Sequence, residues 1–187
     1  MTTTGLENLT GDYTLDPAHT RLGFVARHAM ITKVRGQFDE FESRAHIDFT
    51  DASQCSAEIT IEAASIDTRN EQRDGHLRTN DFFDIPNHPK ITYRSTTVEK
   101  VDDATYRVTG DLTIRGATNP VTIDFEFTGA AKDPFGNQRV GFEGSTVVNR
   151  KDWGIEWNAP LETGGVLVSE KITIEVEVSA IQVVPEA

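Results

Sequence analysis

The stretch Ile172-Thr173-Ile174-Glu175-Val176-Glu177-Val178-Ser179-Ala180 decides the fold. Every even position is apolar and every odd one polar, a period of two that turns one face of an extended strand to a core and the other to water. On a helix the same residues would be scattered around the whole circumference. The alternation recurs where Val121, Ile123, Phe125 and Phe127 are set against Thr122, Asp124, Glu126 and Thr128. It is found again in Ala45, Ile47 and Phe49, in Ala57, Ile59, Ile61 and Ala63, in Tyr106 and Val108 leading to Leu112 and Ile114, and in Leu22, Phe24 and Ala26. One-faced strands of this kind belong to antiparallel sheets.

Turn signals separate the runs: Asp16-Pro17, Asp102-Asp103, Gly116-Ala117-Thr118-Asn119-Pro120 and Asp133-Pro134-Phe135-Gly136-Asn137. Strands joined this closely form a meander. About eight can be counted, and eight is the number at which a closed barrel just holds one small ligand. Alternation does not separate a barrel from a two-sheet sandwich, since both bury one face of every strand. With 187 residues the chain has the length of one domain, expected over 11–184 after a flexible N-terminal segment 1–10. One segment breaks the strand pattern. Thr68-Arg69-Asn70-Glu71 reads as a capping box opening a short polar helix through Thr79, carried in a loop across one end of the barrel. The aromatic pair Phe82-Phe83 would lie beneath it as a plug. A second long loop covers 151–165, with Trp153 and Trp157, and long loops in compact domains are more often functional than incidental.

Composition narrows the function. Net charge is −12, and such a surface repels phosphate backbones and anionic headgroups, arguing against nucleic-acid and electrostatic membrane binding. No run approaches the ~18 apolar residues of a spanning helix. The N-terminus has neither a basic nor an apolar signal region, so a cytoplasmic protein is expected. The single cysteine, Cys55, forms no internal disulfide.

Signatures of chemistry are scarce. His19, His28, His46, His76 and His88 fall in no metal-binding spacing. No nucleophile elbow, P-loop or dinucleotide fingerprint sits at a strand–helix junction. His28 stands apart: if its strand continues unbroken, it shares the inner face with Leu22, Phe24 and Ala26. It is then either a structural histidine bonded to a loop carbonyl or a donor to the polar end of a ligand. Phe24, Phe38, Phe49, Phe125 and Phe142 are bulky inner linings, whereas Gly23, Gly36, Gly110, Gly141 and Gly144 thin the strands. The glycines either leave a cavity or merely curve the sheet.

Ordered motifs then meet a known pattern. Tyr13-Thr14-Leu15-Asp16-Pro17-Ala18-His19-Thr20, Phe24, His28 and Val34-Arg35-Gly36-Gln37-Phe38 resemble the start of the YceI-like family of polyisoprenoid-binding proteins. The resemblance continues through Ser65-Ile66-Asp67-Thr68, Arg73 to Asp84, Pro89 to Tyr93, Gly110 to Gly116 and Asn149 to Ile155, nearly the whole chain. It implies an extended eight-stranded antiparallel barrel of lipocalin type, often dimeric, whose lumen takes a long isoprenoid, an isoprenoid quinone or a similar amphiphile without chemistry. No other cofactor, no metal and no nucleic-acid partner is implied; the partner is a small hydrophobic ligand. Many members are exported, and this chain departs from them in showing no signal. On the same basis Phe24, Phe38, Phe82, Phe83, Phe125, Phe142 and Trp153 are the residues to line or close the lumen. His28, Arg35, Asp67, His76 and Arg150 are those to meet a polar head or to pin loops to the barrel. The alternatives are an interaction module of the stress response with a side-chain-filled barrel, and an enzyme acting on a lipid.

Overall fold

The computed structural model describes residues 5–184; the first four residues of the expected 1–10 segment and the last three of the chain lie outside the described residues. Eleven strand segments follow one another: β1 Gly11–Leu15, β2 Arg21–His28, β3 Thr32–Phe38, β4 Phe41–Ile47, β5 Ser56–Glu62, β6 Ile66–Asp67, β7 Lys90–Lys100, β8 Thr105–Ile114, β9 Ala117–Lys132, β10 Gln138–Asn149 and β11 Lys171–Gln182. Among the described residues a single α-helix, α1 Glu71–Leu77, interrupts them. Every pairing is antiparallel, in the order β1-β4-β5-β7-β8-β9-β10-β11, and β11 returns to pair with β1. That return closes the sheet into an eight-stranded barrel. The expected fold is the observed one.

Three of the eight barrel strands are broken, which is why eleven segments build them. β1 and β2 both pair with β11, through Leu15↔Ala180 and Arg21↔Glu177, and so form one strand with an excursion at 16–20. Buried Thr20 bridges the break: its hydroxyl donates to the Ser179 carbonyl and accepts the Ser179 N–H, both at 3.1 Å. β3 and β4, and β5 and β6, are broken in the same way. There the Ser65 hydroxyl accepts the Asp39 and Glu40 N–H groups and donates to the Glu62 carbonyl. Side-chain hydroxyls thus replace the lost ladder bonds, as buried backbone groups require.

Two connections differ from the sequence expectation. The turn expected over 116–120 is confined to Arg115 and Gly116, with φ 51° and 76°. Ala117 to Pro120 already belong to β9, opposite Asp111 to Ile114. Pro120 is tolerated because β10 pairs only with positions 124 and beyond, leaving its nitrogen on an unpaired side. The helix is capped by Asn70, whose side chain accepts the Arg73 N–H at 2.9 Å, rather than by Thr68. Arg69 adopts φ 62°, which turns Thr68 inward; there its N–H and hydroxyl both donate to buried Asp74. The helix therefore ends at Leu77 instead of Thr79.

Side chains from the inner face form two clusters. One contains Leu22, Ile61, Ile91, Leu112, Val121, Ile123 and Trp153; the other contains Tyr13, Phe49, Tyr106, Val140 and Ala180. Leu6 and Leu9, flanking and ending a single turn at Glu7–Leu9, pack against the second. No described helix is long and apolar enough to cross a membrane.

Candidate functional site

Inner-face residues of a filled barrel would all be buried. Here Phe24, Ile59, Tyr93, Phe125, Ile174 and Val176 point inward by register yet are only half-buried. The surface they expose faces a cavity of about 340 Å³ inside the barrel. That volume lies within the ordinary range of small-molecule sites. The lumen runs from Leu15, Ala45 and Val178 at one end to Leu77, Phe82 and Val168 at the other.

Aromatic rings shape both ends. Near α1, Phe24 meets Phe38 at 5.9 Å between centroids, and Phe38 meets Phe83 edge-on at the same separation. This chain of rings ties the barrel wall to the loop after the helix, where Phe82 is buried. At the far end Phe142 and Phe49 each lie 5.4 Å from Phe127, and Tyr106 stands edge-on to both Phe49 and Phe142. Phe49 arrives from the β4–β5 connection and backs the end wall. Offset and edge-on contacts of this type add stability beyond simple burial.

The wall is almost wholly apolar because its polar atoms are engaged by the wall itself. The Trp153 indole N–H donates to the Leu112 carbonyl at 2.9 Å, and the Tyr93 hydroxyl donates to the Val121 carbonyl at 3.0 Å. Burial pushes the Tyr93 phenol up to about 12, with Asp111 adding to the effect. Cys55, also on the wall, donates weakly to the Asp48 carbonyl, and burial raises its thiol as well. A raised thiol pKa disfavours the nucleophilic thiolate.

Among the described residues Arg150 is the one buried cation on the lumen wall. Its guanidinium donates to the carbonyls of Ser169 at 2.8 Å, Ile155 at 2.7 Å and Val168 at 3.4 Å. Burial lowers its pKa, and nearby Glu170 works the other way. Glu170 itself is ion-paired to Lys151 at 2.7 Å. Arg150 therefore clamps the 155–169 segment over the barrel end and presents its apolar stem inward.

Eight of the residues singled out in the sequence meet at the lumen: Phe24, Phe38, Phe82, Phe83, Phe125, Phe142, Arg150 and Trp153. Four do not. His28 is exposed at the end of β2, bridged through its backbone to Val168, because the strand runs past the lumen before reaching it. Arg35 lies opposite Val25 on the outer face, since its neighbours Val34 and Gly36 take the inward positions. Asp67 accepts the Arg69 N–H at 2.8 Å and shapes the entry to α1. His76 bonds Asp81 at 2.8 Å and stands edge-on to Phe82 and Trp157, joining the two long loops outside the lumen. Tyr93 and Tyr106 line the lumen as well; Tyr106 falls on the apolar side of its strand's alternation, and Ile91-x-Tyr93 carries the same signal. Among the described residues, no group of three His, Cys, Asp or Glu is placed to hold a metal ion.

A model of the YceI-like domain matches residues 13–180. The UPF0312 protein SA2479 of Staphylococcus aureus (strain N315) is 41% identical over 165 residues, covering 88% of this chain and 94% of that protein. The crystal structure of Burkholderia cenocepacia BcnA superposes with a TM-score of 0.78 at 24% identity, covering 88% of this chain and 98% of the other. A polyisoprenoid binding domain from Saccharophagus degradans, implicated in plant cell wall breakdown, superposes with a TM-score of 0.68 at 16% identity over 91% of this chain and 98% of its own. At these identities the two structures share the fold.

Proposed function

The chain belongs to the YceI-like family, and from that premise we propose that its lumen holds the tail of a long apolar lipid, a polyisoprenoid or isoprenoid quinone, and performs no chemistry on it. The observation that carries the proposal is a hollow barrel of about 340 Å³ whose wall offers almost no polar surface. A site for a compact polar molecule would expose convergent donors and acceptors. This wall turns its Trp153, Tyr93 and Arg150 donors to backbone carbonyls instead. The tail gains about 25 cal/mol for each Å² of apolar surface it buries, so a long chain needs no polar anchor inside. Among the described residues the lumen wall offers a polar head little to bind, so the head belongs at its end. That favours the uncharged head of a quinone, or a head left in water, over a buried pyrophosphate, which would need several free arginine-type donors.

The same wall supports the reading that the lipid is held without chemistry. General acid–base or nucleophilic catalysis needs two titratable groups in contact and aimed at the ligand. Of the titratable residues along the lumen, Arg44 and His46 pair with Glu58 and Asp12, and the others described are phenols and a thiol whose pKa values burial raises, together with a carbonyl-bound arginine. The test is native mass spectrometry of delipidated protein given a polyprenol, a ubiquinone or a fatty amide. Uptake of one intact isoprenoid per chain is expected. A chain that takes up none of the three, or that returns a chemically altered lipid, contradicts the proposal.

A further inference from the structure

The overall negative charge conceals a local reversal. The 22 residues from Pro17 to Phe38 carry four of the chain's 18 basic residues, Arg21, Arg27, Lys33 and Arg35, and none of its 30 acidic ones. Arg21 is paired with Glu175 at 2.9 Å. Among the described residues the other three form no ion pair. All three are exposed on the outer face of the β2–β3 hairpin, where Arg27 lies directly across from Lys33 and Arg35 across from Val25. Like charges opposed across a ladder are destabilising. Nothing within the hairpin neutralises them.

The tip of the same hairpin is apolar. Met30 is 65% exposed and Ile31 78%. Ala29 and Met30 hold φ 52° and 62°, a left-handed turn in which glycine or asparagine is the usual occupant. The chain thus accepts backbone strain and still presents large apolar side chains to water. The tip is held in place: the Ala29 N–H donates to the Leu167 carbonyl at 2.7 Å, and His28 bridges to Val168. Val166, in the adjoining loop, is also exposed, and the single acidic residue of segment 160–168 is Glu162. Ala26 and Val168 line the lumen. Exposed apolar tip, unneutralised cations and lumen end are therefore contiguous. Met30 and Ile31 sit in the turn just beyond Arg27 and Lys33, so the apolar tip leads and the cations follow it.

We propose that the β2–β3 hairpin docks on an anionic lipid bilayer, with Met30 and Ile31 in the interface and Arg27, Lys33 and Arg35 on the phosphates, so that the adjoining end of the lumen faces the membrane. The inference rests on the lipid-holding reading and supplies the surface from which the ligand is taken or to which it is given. It also revises the expectation that net charge argues against such contact. At physiological salt charges more than ~8 Å away are largely screened, so the patch at the contact outweighs the distant acidic surface and orients the protein besides.

Flotation with phosphatidylcholine vesicles, with and without phosphatidylglycerol, at low and high salt, tests it. Binding to the anionic vesicles alone, weakened by salt, is expected. The triple variant Arg27→Gln, Lys33→Gln, Arg35→Gln should lose about fivefold per cation, on the order of a hundredfold in all. Met30→Ser with Ile31→Ser should weaken binding independently, whereas Lys100→Gln with Lys132→Gln, exposed cations at the opposite end of the barrel, should leave it unchanged. Failure to bind anionic vesicles, equal binding to neutral ones, or indifference to the hairpin variants overturns the proposal. Self-association of the chain that disappears in the Met30→Ser, Ile31→Ser variant also overturns it, by making the tip a contact between copies. Organic extraction of the same samples separates the two readings. Lipid-loaded protein that ignores anionic vesicles defeats docking alone, while protein that neither carries nor takes up lipid defeats the lipid-holding reading and docking with it.

Discussion

Gly36 lies directly across the β2–β3 ladder from Phe24, and the Phe24 ring occupies the space that a Cβ on Gly36 would need. The missing side chain lets the ring fold back against the wall instead of standing in the lumen. Gly36→Val should drive the ring inward, shrinking the lumen and costing about 1–3 kcal/mol by overpacking. Thermal melting and isoprenoid uptake read the two effects separately. Unchanged uptake with unchanged melting would show that the ring has room elsewhere.

Arg150 is expected to act in stability before it acts in binding. Its three carbonyl partners all lie in the 155–169 segment. Arg150→Met keeps the apolar stem but leaves these acceptors without their donor, at a cost of about 3 kcal/mol. Urea unfolding measures it. A variant of native stability that discriminates less between lipid heads would instead make Arg150 a ligand contact.

The helix cap offers a sharper test of local structure. Asn70→Ala should cost about 1 kcal/mol, since the Asn70 side chain accepts the Arg73 N–H. Thr68→Val should cost more, about 2 kcal/mol, because it removes a hydroxyl from a buried carboxylate. If Asn70→Ala were silent in denaturant unfolding, the cap would lie at Thr68 after all.

Acid should loosen the barrel end where Arg139 joins Asp16 at 2.7 Å and Asp133 at 2.8 Å. The Arg139 guanidinium, and then His19, hold the Asp16 carboxyl at about 2 instead of its ordinary 3.8. Asp133 is likewise held well below the carboxylate range, first by Arg139. A carboxylate depressed by folding stabilises above its unfolded value, and that contribution disappears as pH falls through the folded one. The melting temperature should therefore drop between pH 3.8 and about 2. In Arg139→Gln that drop should flatten and the neutral-pH melting temperature should be lower. Parallel acid profiles for the two proteins would contradict the assignment.

Much of the fold was legible because strand alternation is a local property. Ile172 to Ala180 announce β11, and Val121 to Phe127 announce β9, without reference to any partner. The breaks were less visible. Phe38-Asp39-Glu40-Phe41 contains neither glycine nor proline, and its interruption is made good by a hydroxyl twenty-five residues away, at Ser65. The aromatic lining of the lumen was legible for the same reason as the strands: Phe24 and Phe125 fall on inward positions. The polar candidates were not. Arg35 is turned outward by its own register, and His28 lies where β2 has run past the lumen, its backbone bridged to Val168. Hollowness itself is not written in any strand, because filled and empty barrels share one inner-face pattern. It depends on how Gly36 and Phe24, or Gly110 and Tyr93, meet across the wall.

Organic extraction of the purified protein followed by mass spectrometry tests the central claim most directly, set beside the same measurement on Phe24→Asp with Phe125→Asp. One polyisoprenoid or isoprenoid quinone per chain is predicted, lost in the variant whose lumen carries two carboxylates. A wild-type chain free of extractable lipid, which still refuses isoprenoid after delipidation, would contradict the account and leave an empty barrel without a cargo.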